Sequence, residues 1–228
     1  MDTWLRRALW ERVPRDHREH PEQLRRRQLV AAVGLVAGAV VLRISLGLEP
    51  GSPWFYAGSL GLSALWAGAA FASGELHLGR ITTAAGLRRP VLSPILVALG
   101  LIAIFLLGAL VVREIPFLER QVRDVVAHAQ PGQWPLVALI TALTGVAEEL
   151  FFRGAAYAAI PWHPVVVTTV LYTVATLVTG NVMLTFAAAV LGFVVALERR
   201  ASGGILAPIL THITWSVTMA FTLPGLLG

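Results

Sequence analysis

The chain contains no cysteine, which excludes disulfides, thiolate catalysis and cysteine-ligated metal, and removes any redox clue to compartment. It contains no lysine either: all 18 basic residues are arginine, which we read as a compositional bias rather than a design for phosphate. Charge of any sign is scarce. Only 14% of residues are charged, against about 25% in a soluble domain, so long windows hold no ionisable group at all. Internal repeats and low-complexity tracts are also missing, which withholds sequence support from an inverted-repeat transporter.

What is present is apolar. Of 228 residues, 56% are hydrophobic, and the mean hydropathy is +0.71. This composition describes a multispanning membrane protein. A helix needs about 20 apolar residues to cross the hydrocarbon core. Runs of that kind cover residues 28–48, 53–74, 92–113, 134–160, 162–179, 181–197 and 203–224. The expected fold is therefore all-α: a polytopic membrane helix bundle of about seven transmembrane helices, with an interfacial helix between Arg113 and Gln133. By length the sixth run is short for a full crossing and the fourth can tilt. Proline and glycine clusters mark most breaks, and Asn181 is placed to cap the helix that follows it. The segment Glu198 to Gly204 reads as a loop.

The isoelectric point near 10.9 would suggest nucleic acid in a soluble protein, but the location of the charge argues against that partner. Eight arginines lie in the first 27 residues, directly before the first apolar run, mixed with five acids: Asp2, Glu11, Asp16, Glu19 and Glu22. This is a positive-inside flank suited to anionic lipid headgroups. Three regions follow: a basic cytoplasmic segment, 1–27; membrane spans with their loops, 28–130; and a core, 131–228. Arg80, Arg88, Arg89, Arg199 and Arg200 fall in loops on the same side, so a cell-membrane protein is expected with its N-terminus inside and its C-terminus outside. Arg43, inside the first run, can snorkel to the nearer interface. No cleavable signal peptide is apparent.

Chemistry is expected where ionisable groups enter the fourth run. Glu148, Glu149 and Arg153 lie in the apolar stretch from Trp134 to Pro161. Each carboxylate at mid-membrane depth costs about 2.5–3.5 kcal/mol on insertion scales, so such groups face a bundle interior and mark function. At helical spacing Glu149 and Arg153 share a face and can pair, a pair that by itself explains only packing. Glu148 points elsewhere without an evident local partner, which suits it to general base work. His212 and Ser216 lie on one face of the last run. Threonines of the fifth run, Thr176 among them, bond back to their own helix by default. The arithmetic disfavours a metal: a site of Glu148, Glu149 and His212 is conceivable but supplies a single histidine, and there is no HExxH.

The string Glu148-Glu-Leu-Phe-Phe-Arg-Gly154 resembles the EExxxR motif of the CAAX-protease and bacteriocin-processing (CPBP, or Abi) family of intramembrane proteases, which includes type II CAAX prenyl endopeptidases. Leu171 to Thr176 stands at the place of that family's FxxxH motif. The segment Gly203 to His212 resembles the approach to its HxxxN motif, here His212-Ile-Thr-Trp-Ser216. The resemblance covers residues 134–220. It implies Glu148 as the activator of water, and His212 with Ser216 as stabilisers of the carbonyl oxygen. Glu149, Arg153 and Tyr172 would support them.

Two departures stand out: Thr176 replaces the second-motif histidine, and Ser216 replaces the third-motif asparagine. The leading expectation is an intramembrane endopeptidase acting on a membrane-embedded or lipid-modified peptide, without a cofactor. The second is a catalytically impaired relative that binds membrane peptides or a partner protein through the same cavity. The third is a small proton-coupled transporter.

Overall fold

A computed structural model describes residues 3–14, 20–128 and 134–227. Asp2, Arg15, Asp16, Arg18 and Glu19 of the basic segment, and the boundary at 130/131, lie outside the described residues. The helices are α1 (Thr3–Leu9), α2 (Pro21–Ser45), α3 (Pro53–Ser73), α4 (Leu92–Val112), α5 (Pro116–Val126), α6 (Trp134–Glu149), α7 (Tyr157–Ala159), α8 (Pro164–Leu177), α9 (Val182–Ser202) and α10 (Leu206–Leu227). A π-helical segment, Leu150–Ala156, joins α6 to α7 without a break. Among the described residues six helices are long and apolar enough to cross a membrane, α6 through α7 counting as one. The protein is an all-α, multi-pass membrane bundle.

The ends of these helices follow local chemistry. Pro53 opens α3, and the Ser52 hydroxyl accepts from the Phe55 amide at 3.2 Å. Asn181 caps α9 by accepting from the Leu184 amide at 2.8 Å. Gly203 ends α9 in the left-handed region, at φ 72°, where glycine carries no Cβ penalty. Along α2, Leu29, Val33, Val36, Val40 and Ile44 form an exposed stripe. In water this would be an aggregation-prone patch; here it is the lipid-facing side.

Three expectations are corrected. The short crossing is the fifth, not the sixth. The 14 residues of α8 rise about 21 Å, short of the ~30 Å core, whereas α9 has 21 residues. It gains that length because Glu198 to Ser202 continue the helix and find buried partners. The break is the Gly203-Gly204 pair alone. The charged connection after α3 is also not a plain loop. It carries a two-stranded antiparallel hairpin, β1 (Ile81–Thr83) with β2 (Gly86–Arg88). Its approach, His77 to Arg80, docks on the α9–α10 turn through Ile205 N to His77 O at 2.9 Å and Arg80 N to Ser202 O at 2.8 Å.

Finally, α2 begins at Pro21, so Arg26 and Arg27 lie in a helix. They donate to Ala72 O at 3.0 Å and Glu75 O at 3.1 Å, closing the carboxyl end of α3 as cations do. The surface helix expected after Arg113 is α5, tied to α9 where Asn181 Nδ2 donates to Gln121 O at 2.6 Å.

The α2–α3–α6 core centres on Trp66, fully buried, stacked on Phe151 at 6.0 Å and edge-on to Phe152 at 5.4 Å. Two glycines of α2 admit this ring cluster. A Cβ on Gly38 would lie 2.0 Å from Trp66 Nε1, and one on Gly34 would lie 2.7 Å from Phe151. Gly38→Val is therefore expected to destabilise the detergent-solubilised protein by about 1–3 kcal/mol through overpacking. Gly61→Ala, with nothing within 4 Å of its Cβ, should be neutral or stabilising by up to about 1 kcal/mol. Thermal unfolding of both variants checks the contrast.

Candidate active site

The site is built on three crossings. The end of α6 and the π-helical segment bring Glu148, Glu149 and Arg153, α8 brings Tyr172 and Thr176, and α10 brings His212 and Ser216. Glu149 and Arg153 have no exposed side-chain surface and pair at 3.2 Å. The Arg153 guanidinium also donates to Gly192 O at 2.9 Å and lies 4.8 Å from the Tyr172 ring centre. Gly192 makes this possible, since a Cβ there would come within 3.0 Å of both groups.

Glu149 does more than balance arginine. His212 Nδ1 lies 2.7 Å from Glu149 Oε1. An ionised carboxylate only accepts, so the imidazole donates from Nδ1 and turns Nε2 toward Glu148, whose Oε2 is 3.9 Å away. Glu148 is not without a partner, as the sequence suggested: the Tyr172 hydroxyl donates to Glu148 Oε2. Glu148, Glu149, Arg153, Tyr172 and His212 thus form one connected cluster. The two carboxylates diverge around a single imidazole, which one of them orients and the other faces.

Thr176 and Ser216 reach the same cavity, yet their hydroxyls turn to their own helices. Thr176 Oγ1 donates to Tyr172 O at 2.9 Å and Ser216 Oγ to Ile213 O at 3.4 Å. That is the default behaviour of such residues in apolar helices. Among the described residues no group of three or more His, Cys, Asp or Glu is disposed to hold a metal ion.

Reading Glu198 to Gly204 as a loop hid a second layer of polar residues. Glu198 and Arg199 are buried. Thr211, next to His212, lies 2.9 Å from Glu198 Oε1 and 3.0 Å from Pro94 O, linking α9, α10 and α4 just beneath the imidazole. Arg199 Nε donates to Arg153 O at 2.7 Å, a carbonyl inside the π-helical segment. The signal that finds these residues is the glycine stop at Gly203, which extends α9 through Ser202 and carries Glu198 and Arg199 inside.

The cluster opens on a cavity of about 530 Å³, lined almost wholly by apolar side chains, with Glu148, Tyr172, His212 and Ser216 on its wall. All seven candidate residues fall within residues 130–218, which match the sequence profile of the family described as type II CAAX prenyl endopeptidase Rce1-like. Over those residues the chain is similar to that family. The matched segment comprises the crossings α6 to α9 and most of α10, and the family it resembles is one of proteases. Neither a curated protein nor a solved structure matches the chain.

Proposed function

We propose that the protein is an intramembrane endopeptidase in which Glu148 activates water against a peptide bond of a membrane-associated substrate. The observation that carries this reading is the arrangement around His212, with Nδ1 held by Glu149 at 2.7 Å and Nε2 facing Glu148 at 3.9 Å on the cavity wall. A water set to the cavity side of that pair can hydrogen-bond to both atoms. Water bound there gives a proton to Glu148 while its oxygen attacks the carbonyl carbon. His212 can answer the charge that develops on the carbonyl oxygen by donating from Nε2 as the imidazolium, with Nδ1–H kept on Glu149, while the single Tyr172 O–H stays on Glu148. When the C–N bond breaks, the proton on Glu148 passes to the leaving nitrogen. Glu149 and Arg153 position the imidazole and touch no reacting atom. The family name points to prenylated C-terminal peptides, and the apolar cavity suits either a lipid-modified or a plain membrane peptide.

The protein sits in the cell membrane on this reading, its basic N-terminal segment against anionic headgroups on the cytoplasmic face. A second reading, a peptide-binding relative without catalysis, is favoured by one observation: the Thr176 and Ser216 hydroxyls serve their own helices and add neither a base nor a free donor to the cavity wall.

The test uses purified protein in micelles with farnesylated and unmodified apolar peptides in H₂¹⁸O. New C-termini bearing one ¹⁸O are expected by mass spectrometry. Peptides retained intact by a folded protein would decide for the second reading.

A further inference from the structure

The cavity lies mostly in one half of the bundle and ends near its middle, at Glu148 and His212. It is lined by the C-terminal ends of α2 and α4, the N-terminal halves of α3 and α9, α6 from Val137 to Glu148, Tyr172 and Thr176 of α8, α5 itself, and α10 from His212 to Leu223. In an alternating bundle most of these belong to the side opposite the basic N-terminal segment, with Glu148 and His212 at the inner end of the cavity. A second, more polar cavity of about 290 Å³ sits between α5 and the α8–α9 turn. It shares Leu46, Val125, His128 and Leu184 with the first, and is otherwise lined by residues such as Asp124, Thr179 and Asn181. Water on that side therefore has a route toward Glu148.

The other side is closed. Beneath Glu149 lie Arg153, Glu198, Arg199 and Ser202, all buried. The chain from His77 to Arg80 is laddered onto the α9–α10 turn, and a Cβ on Gly154 would strike Leu76 at 2.8 Å. The segment after α1 adds cover where Val13 N donates to Ala201 O at 3.2 Å.

Charge labels the two sides. Among the described residues the closed side carries Arg6, Arg7, Arg12, Arg25, Arg26, Arg27, Arg80, Arg88, Arg89, Arg199 and Arg200, against Glu11, Glu22, Glu75 and Glu198. The open side has Arg43, Arg113, Arg120 and Arg123, offset by Glu49, Glu114, Glu119 and Asp124. Arginine in short loops stays in the cytoplasm. We infer that the site is served from the non-cytoplasmic side, so that its substrate is an apolar polypeptide segment held in the outer half of the membrane rather than a tail offered from the cytoplasm. This rests on the endopeptidase reading for the word substrate, but the sidedness stands on geometry and charge alone.

The native chain has no cysteine, so single-cysteine variants of the full-length protein report access directly. Asp124→Cys marks the mouth, Ala220→Cys the cavity wall, and Thr82→Cys the hairpin on the closed side; Thr179→Cys replaces either of the first two should it fail to accumulate. A membrane-impermeant maleimide applied to intact cells is expected to label the mouth and wall positions as fully as in permeabilised cells. Thr82→Cys should remain unlabelled until permeabilisation. A capped peptide of leucine and valine added outside should slow labelling of Ala220→Cys several-fold and leave Asp124→Cys unchanged. Wall labelling only from the cytoplasmic side, labelling without sidedness, or no protection by the peptide overturns the inference. None of these readouts requires cleavage, so loss of the sidedness and loss of the protease reading are separate results.

Discussion

Glu148→Gln is expected to slow peptide hydrolysis by about 10²–10⁴-fold, the usual contribution of a positioned general base. The substitution is nearly isosteric. The glutamine oxygen can still accept from the Tyr172 hydroxyl, which donates to Glu148 Oε2 in the native site, and the Glu149–His212–Arg153 contacts are untouched. What disappears is the capacity to take a proton from water and return it to the leaving nitrogen. The loss should therefore fall on kcat, with KM little changed, and thermal unfolding should match the native protein. Initial rates against substrate concentration decide it. A variant that folds and cleaves at the native rate would move water activation to another group and remove Glu148 from the mechanism.

Arg153→Met is expected to cost about 3–5 kcal/mol of stability, the penalty for removing one partner of a buried ion pair. Glu149 is fully buried, pairs with Arg153 at 3.2 Å, and has its second oxygen without a hydrogen-bond partner. Without the guanidinium its charge would face a protein interior with only His212 to answer it. Gly192 O would also lose its donor at 2.9 Å. The companion variant Arg153→Met/Glu149→Gln, which removes the orphaned charge, should recover part of the loss. Unfolding of detergent-solubilised protein measures both. A cost equal in the single and double variants would show that Arg153 acts through packing on Tyr172 and not through the carboxylate.

The fold was legible in the chain because membrane helices declare themselves by length and apolarity. Seven apolar runs correspond to α2, α3, α4, the α6–α7 crossing, α8, α9 and α10. Boundaries set by glycine, proline and asparagine were readable too, as at Ser52 and Asn181. What failed was the treatment of charge as a helix break. Glu198 and Arg199 looked like loop because an isolated helix cannot carry them through lipid; they remain helical because Thr211 and Arg153 O receive them inside the bundle. No spacing rule supplies partners 13 and 46 residues away.

The candidate site divides along the same line. The Glu149–Arg153 pair follows from local spacing. The His212 contact to Glu149 spans 63 residues and the Tyr172 contact to Glu148 spans 24. These depend on how α8 and α10 pack on α6, which pattern alone does not give. For the same reason Glu148 seemed without a partner and Glu149 seemed occupied by arginine alone.

The π-helical segment has a consequence for the geometry of the whole fourth crossing. A wide turn inserts the equivalent of about one extra residue into the α repeat, which shifts the faces before and after it by about 100° relative to an unbroken α-helix. Before the turn, Gly145 and Glu149 look at His212; after it, Tyr157 lies under Arg199 at 4.8 Å. The segment acts as a phase adjuster, letting a single helix address α10 with its first half and α9 with its second. Length in this stretch is thus as constrained as composition: one residue fewer between Glu149 and Tyr157 would leave every side chain chemically intact and aim half of them at the wrong neighbour.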